Sequence, residues 1–337
     1  MLRSGHRLLV MVLQDPSYQH CKFNTVAKTV EEITIPVPWG HVAGKWWGDR
    51  NVQPVLGLHG WEDNAGTFDT LAPLLNLPSF LAIDLMGHGM SSYYPLGCTH
   101  EFVDSVILIK RIINHYQWNK ISFIGHSFGS AMAYLYCALY PEEVEKYVSI
   151  DCARSLLLPP KGKYIQQTRD TLDKTLNIEK KLGTDPPSYT YDDLLQRVYQ
   201  GSGKSPTLES CAVLMKRGLK TSSQDSSKCY LSRDPRVKLN WLGKMPEELV
   251  MGCASRIECK VLSIRGKQGF LFNGDERRVY ESSLKLLKHC EHHDIEGSHH
   301  IHLNNPENPA APVTSELQHN SEVLIAMKHQ AAVAGEI

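Results

Sequence analysis

The sequence predicts an α/β fold: a mostly parallel central sheet with helices on both faces and a helical cap inserted into the chain. Short continuous apolar runs, such as residues 54–59 and 80–83, are typical of strands buried on both faces. Between such runs, apolar residues recur at helical spacing, as over 102–113. From about 155 to 255 the buried-strand runs stop, and charged segments with helical patches replace them. The alternation implies parallel pairing of the strands, and the interruption indicates an insertion.

The first two predicted strands form a hairpin. Residues 32–37 alternate between apolar and polar, a Trp-Gly turn follows, and the strand pattern resumes over 40–47. Beyond the next strand we expect a helix over 67–75. The strand after that helix ends at Asp84.

The remaining elements continue the alternation. The strand 144–150 ends at Asp151, and the inserted segment carries helical patches at 192–199 and 208–219. Three later elements complete the core: a strand at 260–264, a helix at 277–289 and a strand at 290–295.

These elements divide the chain into four parts. The apolar run 8–13 near the start is far shorter than the ~20 residues that cross a bilayer, and no later segment is a candidate span, so we expect a soluble protein. The predicted parts are a flexible N-terminal extension (1–28), an α/β core (29–154 and 256–308), a helical cap (155–255) and an atypical C-terminal tail (309–337).

Charge and cysteine content limit the kinds of partner. The 337 residues include 36 basic and 36 acidic ones, so nothing favours a nucleic acid or an anionic membrane held by bulk charge. The nine cysteines form no C-x-x-C pair, which indicates free thiols in a reducing compartment. We expect a small-molecule substrate and no cofactor.

The most informative stretch is Gly125-His126-Ser127-Phe128-Gly129. An apolar strand run (121–124) precedes it and an apolar helical run (131–139) follows it. This strand, small-residue turn and helix is the context of a nucleophile elbow. Glycines at both ends let the strand and the helix approach closely, so the backbone can bend sharply and expose the Ser127 hydroxyl. We therefore predict Ser127 as the nucleophile.

Two backbone amides are candidates for an oxyanion hole. The amide of Phe128 would lie at a helix N-terminus, where it can stabilise a developing oxyanion. His59-Gly60-Trp61 follows an earlier strand, and the amide of Trp61 could supply the second donor. A simple turn closed by a packing tryptophan is the alternative interpretation.

The predicted general base is His299, in the loop after the last strand. His300 and His302 follow it, and we expect these two to lie behind the catalytic residues or at the surface. His292 and His293 fall within the preceding strand. Such a cluster could bind zinc, but it lacks an H-E-x-x-H arrangement, so we predict no metal site.

The predicted triad also needs an acid that orients the histidine, and the sequence offers two candidates for it. Its usual place is just past the strand 260–264, but residues 265–272 contain no carboxylate. Asp151 ends the neighbouring strand and is the preferred candidate, although capping the next segment is an alternative role. Asp275 is the other candidate and would need a bent loop to reach the histidine.

Three strings together resemble the serine hydrolase-like protein family of α/β-hydrolases. They are His59-Gly-Trp-Glu-Asp-Asn-Ala-Gly-Thr-Phe-Asp69, Asp84-Leu-Met-Gly-His-Gly-Met-Ser91 and Gly125-His-Ser-Phe-Gly129. Shorter matches lie at 38–41, 231–235 and 299–302, and the similarity covers about residues 30 to 308. The resemblance implies an α/β-hydrolase fold with a helical cap, a serine nucleophile and a cytoplasmic or peroxisomal location. It leaves the substrate undefined.

Two features depart from the family pattern. Members usually continue after the histidine loop with an apolar helix that packs on the sheet, whereas prolines interrupt residues 306–312 here. We therefore expect a tail that covers the core poorly and leaves His299 loosely held. The chain also ends in Gly-Glu-Ile rather than a Ser-Lys-Leu type of peroxisomal signal, and this ending argues against peroxisomal targeting.

The sequence supports two functional hypotheses. The first is a serine hydrolase that cleaves a carboxylester or thioester with an apolar acyl group through an acyl-enzyme on Ser127. The second is a catalytically inactive binding protein on the same fold, motivated by the missing carboxylate after residue 264 and by the altered C-terminus.

Overall fold

The computed structural model describes residues 29–239, 243–269 and 274–318. Its main sheet has eight strands in the order β1-β2-β4-β3-β5-β6-β9-β10, and β7 and β8 form a separate hairpin. The strands are β1 (Val30–Val37), β2 (Gly40–Gly48), β3 (Val55–Leu58), β4 (Ser79–Ile83), β5 (Ile121–His126), β6 (Val144–Ile150), β7 (Leu219–Thr221), β8 (Cys229–Leu231), β9 (Lys260–Gln268) and β10 (Cys290–Ser298).

Strand pairing follows the sequence prediction. The hairpin β1–β2 and the pair β2–β4 are antiparallel, and all pairs from β4 to β10 are parallel. The central strand β5 is buried along its whole length, as its apolar sequence requires. All parallel strands therefore direct their carboxyl ends to the same edge of the sheet, where sites of open α/β sheets lie.

Helices lie on both faces of the sheet and in the inserted segment. They are α1 (Phe102–Tyr116), α2 (Phe128–Leu139), α3 (Lys161–Glu179), α4 (Tyr191–Gly201), α5 (Leu208–Gly218), α6 (Glu247–Arg256), α7 (Gly274–Leu286), α8 (Ile301–Asn304) and α9 (Glu307–Gln318). Neighbouring residues of β5 belong to different apolar clusters: Phe123 packs with α1 and α2, and Ile124 packs with α9. Because successive strand residues point to opposite faces, the two clusters lie on opposite sides of the sheet.

The helix predicted over 67–75 is wrong. Two short 3₁₀ helices, Ala65–Phe68 and Ala72–Leu74, occupy this region instead. Pro73 explains the break, since it has no amide proton to donate and its ring would clash with the carbonyl of the preceding turn in a continuous α-helix.

The expected interruption at 306–312 is also wrong. Helix α9 runs through this stretch and contains Pro312. Pro309 falls in the first turn, where backbone amides have no intrahelical acceptor, so its missing proton costs nothing there. Ala310 and Val313 are fully buried in the cluster on this face of the sheet. The C-terminal helix therefore does cover the core; residues 319–337 of the predicted tail lie outside the described residues.

The inserted segment is mainly helical, as predicted, and it also contains the hairpin β7–β8. Its last helix, α6, packs with α2 in the core cluster through Val250 and Ala254. The Tyr134 hydroxyl of α2 donates a hydrogen bond to the carbonyl oxygen of Val250 at 2.8 Å. Helix α6 thus packs with the core, although it falls within the range predicted for the cap. Helices α3, α4 and α5 come earlier in the insertion.

An ion pair attaches the insertion to the core. Nε of Arg217 in α5 donates to the carboxylate of Asp84, which follows β4, at 2.7 Å. Asp84 is fully buried and also accepts from the backbone amides of Ala65 and Met90. The second branch of the Arg217 guanidinium bonds the carboxylate of Glu32 in β1 at 2.6 Å. The carboxylate of Asp84 therefore links three parts of the molecule: the loop after β4, the 3₁₀ helix that begins at Ala65, and the cap.

Among the helices of the described residues, none combines the length and apolar character of a membrane span.

Candidate active site

The turn at Ser127 has the strained geometry of a nucleophile elbow. Ser127 lies between β5 and α2 with φ 50° and ψ −112°, a region that residues with side chains rarely adopt. A Cβ at Gly125 would lie 2.5 Å from Cα of Ser130, and one at Gly129 would overlap the carbonyl oxygen of Leu58. Only glycine fits at both ends of the turn. Ser127 itself is partly exposed, although its neighbours in sequence are buried.

The loop of Trp61 lies against the elbow. A Cβ at Gly60 would be 2.7 Å from Nδ1 of His126, so this loop approaches the end of β5 closely. His59 holds the loop in shape: its Nε2 accepts from the amide of Leu85 at 3.0 Å, and its Nδ1 donates to the carbonyl oxygen of Gly60 at 2.7 Å. Burial lowers the pKa of His59, which favours the neutral ring that this pattern requires.

The two predicted oxyanion donors occupy the expected elements. Phe128 is the first residue of α2, so its amide lies at the positive end of a helix. Trp61 follows Gly60, and its indole N–H donates to the carbonyl oxygen of Val237 in the inserted segment at 2.5 Å. The indole thus connects the loop to the cap; the part of either amide in catalysis stays a prediction.

Asp151 and His299 are in direct contact. Oδ2 of the aspartate lies 2.5 Å from Nδ1 of the histidine. The other carboxylate oxygen of Asp151 accepts from the amide of Gly266 at 3.0 Å, and the aspartate is fully buried. Asp151 has φ 57°, and together with Ser127 and Glu62 it is one of three non-glycine residues with positive φ in the loops described at this edge of the sheet. The aspartate at the end of β6 is therefore held in place by β9 and directed at the histidine loop.

Asp275, the alternative acid, belongs to α7, but its side chain lies outside what the structure describes. Its predicted role is thus untested. The acid role of Asp151 also stays a prediction, although the contact with His299 is the geometry that such a role needs.

His126 connects the elbow to the histidine loop. Its Nε2 donates to the backbone carbonyl oxygen of His299 at 2.9 Å, and the centroids of the two rings are 4.7 Å apart. Because Ser127 directly follows His126, the predicted nucleophile and the predicted base lie on adjoining segments. Sequence reasoning assigned no role to His126, which it treated only as part of the elbow motif.

The other histidines of the predicted set lie in two places, in the segment that follows β10 and in β10 itself. His300 and His302 are both buried, so the surface location considered for them is wrong. Nε2 of His302 pairs with the Thr67 hydroxyl at 2.8 Å, and Nδ1 of His300 lies 2.8 Å from the Ser205 hydroxyl of the inserted segment. The last two of the predicted set, His292 and His293, lie in β10 as expected.

Asp63 is a buried acid that sequence reasoning did not single out. Its Oδ2 lies 3.4 Å from Nδ1 of His126 and 3.3 Å from Nε2 of His300. Burial alone would raise the pKa of this carboxyl, but the neighbouring His300 and His126 outweigh burial and hold it well below its usual range. The sequence signal that could have pointed to Asp63 is its position within the string from His59 to Asp69.

A cavity of about 290 Å³ lies away from these residues, between α3 and the segment that precedes α1. Thr99 and His100 line one side, and Leu172 and Leu176 of α3 line the other. Because none of the candidate catalytic side chains lines it, we do not assign it as the pocket in which a bond is cleaved.

The chain is similar to known proteins over most of its length. The profile of the family described as alpha/beta hydrolase fold matches residues 53–306. A probable serine hydrolase of Drosophila melanogaster is 38% identical over 289 residues, which cover 83% of this chain and 85% of that protein. A serine hydrolase-like protein of Danio rerio is 32% identical over 313 residues, covering 90% and 94% of the two chains.

A solved structure shares the fold over most of this chain. The crystal structure of a hypothetical protein from Pseudomonas aeruginosa matches with a TM-score of 0.72 and 26% identity, covering 84% of this chain and 96% of that one. The fold class and the resemblance predicted from sequence are thus confirmed.

Proposed function

Because the chain belongs to the serine hydrolase-like proteins of the α/β-hydrolase family, we propose that it is a hydrolase that cleaves carboxylester or thioester bonds through an acyl-enzyme on Ser127. The observation that carries the proposal is the contact between Asp151 and His299 beside a strained serine elbow. A buried carboxylate that accepts from Nδ1 leaves Nε2 of the imidazole unprotonated and able to act as a base.

The proposed reaction begins with proton transfer. His299 takes the proton of the Ser127 hydroxyl as its oxygen attacks the carbonyl carbon, and Asp151 stabilises the imidazolium that forms. The amides of Phe128 and Trp61 donate to the oxyanion, and each such donor contributes about 10²–10³ in turnover. The imidazolium then protonates the leaving group. Water, deprotonated by the same histidine, attacks the acyl-enzyme and releases the acid.

We propose an apolar acyl group for the substrate. The support is Trp61, in the loop of the proposed oxyanion donor, because its large apolar ring is 39% exposed and this loop lies against the elbow. Each methylene of a substrate that leaves water contributes up to about 0.8 kcal/mol, which is about fourfold in kcat/KM. A series of p-nitrophenyl esters from acetate to octanoate should therefore show rising kcat/KM. A flat or falling series would contradict an apolar acyl site while leaving the serine mechanism intact.

The direct test of the mechanism is labelling with a fluorophosphonate, which reacts with activated serines. We expect wild type to be labelled, Ser127→Ala not to be labelled, and His299→Ala to be labelled far more slowly. Well-folded wild type that resists the reagent would favour the inactive binding protein instead. Two observations weaken the case for that alternative. Helix α9 covers the core, and the carboxylate of Asp151 contacts His299.

We also propose a reducing location such as the cytoplasm. All eight cysteines among the described residues are free, as predicted for a reducing compartment. Imaging of a fluorescent fusion beside cytoplasmic and peroxisomal markers would test this, and co-localisation with the peroxisomal marker would contradict it.

A further inference from the structure

Three ligand atoms converge below the proposed nucleophile and base. Oδ2 of Asp63, Nδ1 of His126 and Nε2 of His300 all lie within 4.8 Å of one another. The three residues are only 7%, 1% and 6% exposed, respectively. The reaction described above uses none of these side chains, so their convergence needs its own explanation.

The hydrogen bonds of His126 leave two acceptor atoms facing each other, Nδ1 of His126 and Oδ2 of Asp63. Its Nε2 must carry a proton, because it donates to the carbonyl oxygen of His299, which can only accept. In the neutral ring, Nδ1 therefore presents a lone pair to the carboxylate oxygen of Asp63 at 3.4 Å. Within the described part of the chain, both atoms are buried without a hydrogen-bond partner.

Two facing lone pairs in a buried site need a positive group between them. A proton on Nδ1 is one candidate for this group, and a bound cation is the other. A cation satisfies both atoms and also engages Nε2 of His300, which lies 3.3 Å from the same carboxylate oxygen of Asp63.

We propose that Asp63, His126 and His300 bind a divalent transition metal ion of the Zn²⁺ type. Zinc is bound tetrahedrally at about 2.0–2.1 Å by histidine nitrogen and carboxylate oxygen, which places neighbouring ligand atoms about 3.3–3.4 Å apart. The carboxylate oxygen of Asp63 lies 3.3 Å from the nitrogen of His300 and 3.4 Å from that of His126. Two edges of the ligand triangle thus already have the length that zinc requires.

The outer hydrogen bonds also match those of metal-binding histidines. Such a histidine donates its second ring N–H to a carbonyl, carboxylate or other acceptor, which orients the ring and sets its tautomer. His126 donates to the carbonyl oxygen of His299, and Nδ1 of His300 lies 2.8 Å from the hydroxyl of Ser205. Both rings therefore direct their remaining nitrogen at Asp63.

The proposed ion would join three loops of the proposed active site. Asp63 is two residues after Trp61, His126 directly precedes Ser127, and His300 directly follows His299. Three protein ligands leave one tetrahedral position for water. The proposed role is to position these loops and to stabilise the fold; the ion takes no part in the bond cleavage proposed above. A bound ion stabilises the native state in proportion to its affinity and concentration.

The test uses the full chain, treated with chelator and then dialysed against Zn²⁺. Elemental analysis should give one zinc per chain, and thermal unfolding should shift to higher temperature with zinc. The cobalt-loaded protein should show the visible absorption bands of a tetrahedral site. His300→Gln should weaken the binding of Zn²⁺ by more than about 100-fold, and Ser205→Ala, which removes an outer partner, by about 10–100-fold. Circular dichroism and urea unfolding of each variant establish that it folds.

Two controls separate this proposal from its rivals. His293→Gln removes a partly exposed histidine of β10 and should leave zinc binding unchanged. Ser127→Ala should bind zinc like wild type, so loss of hydrolysis and loss of metal binding are distinguishable. The absence of saturable binding by folded wild type, or binding that survives His300→Gln, would overturn the proposal. The first of these results would leave a protonated His126 as the bridging group.

Discussion

Asp151 and His299 are separated by 148 positions in the chain, yet their side chains lie 2.5 Å apart. The parallel pairing of β6 with β9, and of β9 with β10, produces this contact, because it brings the carboxyl ends of all three strands to one edge. The aspartate follows β6 and the histidine follows β10. An acid on a strand adjacent to the nucleophile's strand thus reaches the histidine without a carboxylate in the loop after β9.

Asp151→Asn should lower kcat by about 10⁴-fold with little change in KM, because the amide favours the wrong tautomer of His299. Steady-state kinetics on a p-nitrophenyl ester measures this. Asp294→Asn is the matched control, since that exposed carboxylate pairs with Arg265 rather than with the histidine. A steep loss in Asp275→Asn, with Asp151→Asn nearly unaffected, would transfer the acid role to the alternative candidate.

Gly129→Ala should destabilise the protein by at least about 3 kcal/mol, because the new methyl group overlaps the backbone of Leu58. Urea unfolding would measure the loss. Gly162→Ala is the control: Gly162 lies in α3, and a Cβ there meets nothing within 4 Å. That variant should gain about 0.5–1 kcal/mol from helix propensity. Equal effects of the two substitutions would refute the packing argument for the elbow.

Arg217→Ala should destabilise the protein by about 3–5 kcal/mol, because it leaves Asp84 buried without its cation. Thermal unfolding and limited proteolysis of the cap measure this. In contrast, Arg277→Ala breaks an exposed pair with Glu281 one turn along α7 and should cost less than about 0.5 kcal/mol. If the two substitutions proved equally mild, the cap would have to be attached by other contacts.

Asp234 should make stability depend on pH in the acid range. Burial alone would raise the pKa of this carboxyl, but hydrogen bonds from His100 and Arg236 outweigh burial and lower it from 3.8 to about 2. Since the pKa is lower in the folded state, the stabilisation is fully present above the unfolded value and is lost as pH falls through the folded value.

At neutral pH this contribution is about 2 kcal/mol. The free energy of unfolding of Asp234→Asn should therefore fall below that of wild type by about this amount, and the gap should narrow as the pH is lowered from about 4 toward about 2. Urea unfolding at a series of pH values tests this. The exposed Asp49→Asn is the control and should show no such gap. If the difference between the two free energies of unfolding grew as the pH was lowered, the predicted direction of the pKa shift of Asp234 would be wrong.

Local sequence patterns predicted most of the elements. The strands and helices of the core follow from apolar periodicity, and the strand β6 has the predicted bounds. The prediction failed where packing outweighs local preference. Pro312 lies inside α9, and the burial of Val313 against the sheet compensates for its lost hydrogen bond. The failed helix at 67–75 has the opposite cause, because Pro73 prevents a continuous helix there.

The candidate site likewise has one part that local sequence predicts and another part that depends on the packed fold. Glycine, serine and the elements around them predict an elbow because strand, turn and helix are consecutive in sequence, so Ser127 could be found without the fold. The contact of Asp151 with His299 depends on which strands lie side by side, and periodicity does not encode strand order. The convergence of Asp63, His126 and His300 draws on three loops far apart in the chain.

By itself, the sequence determined the alternation of strands and helices, the buried faces of those elements and the strained serine turn. These depend on interactions between residues close together in the chain. Only the tertiary structure decided that Asp151 contacts His299, how Arg217 attaches the cap to Asp84, and where three buried ligand atoms meet. Such contacts form between segments that the sheet order brings together, and their geometry exists only once the core has packed.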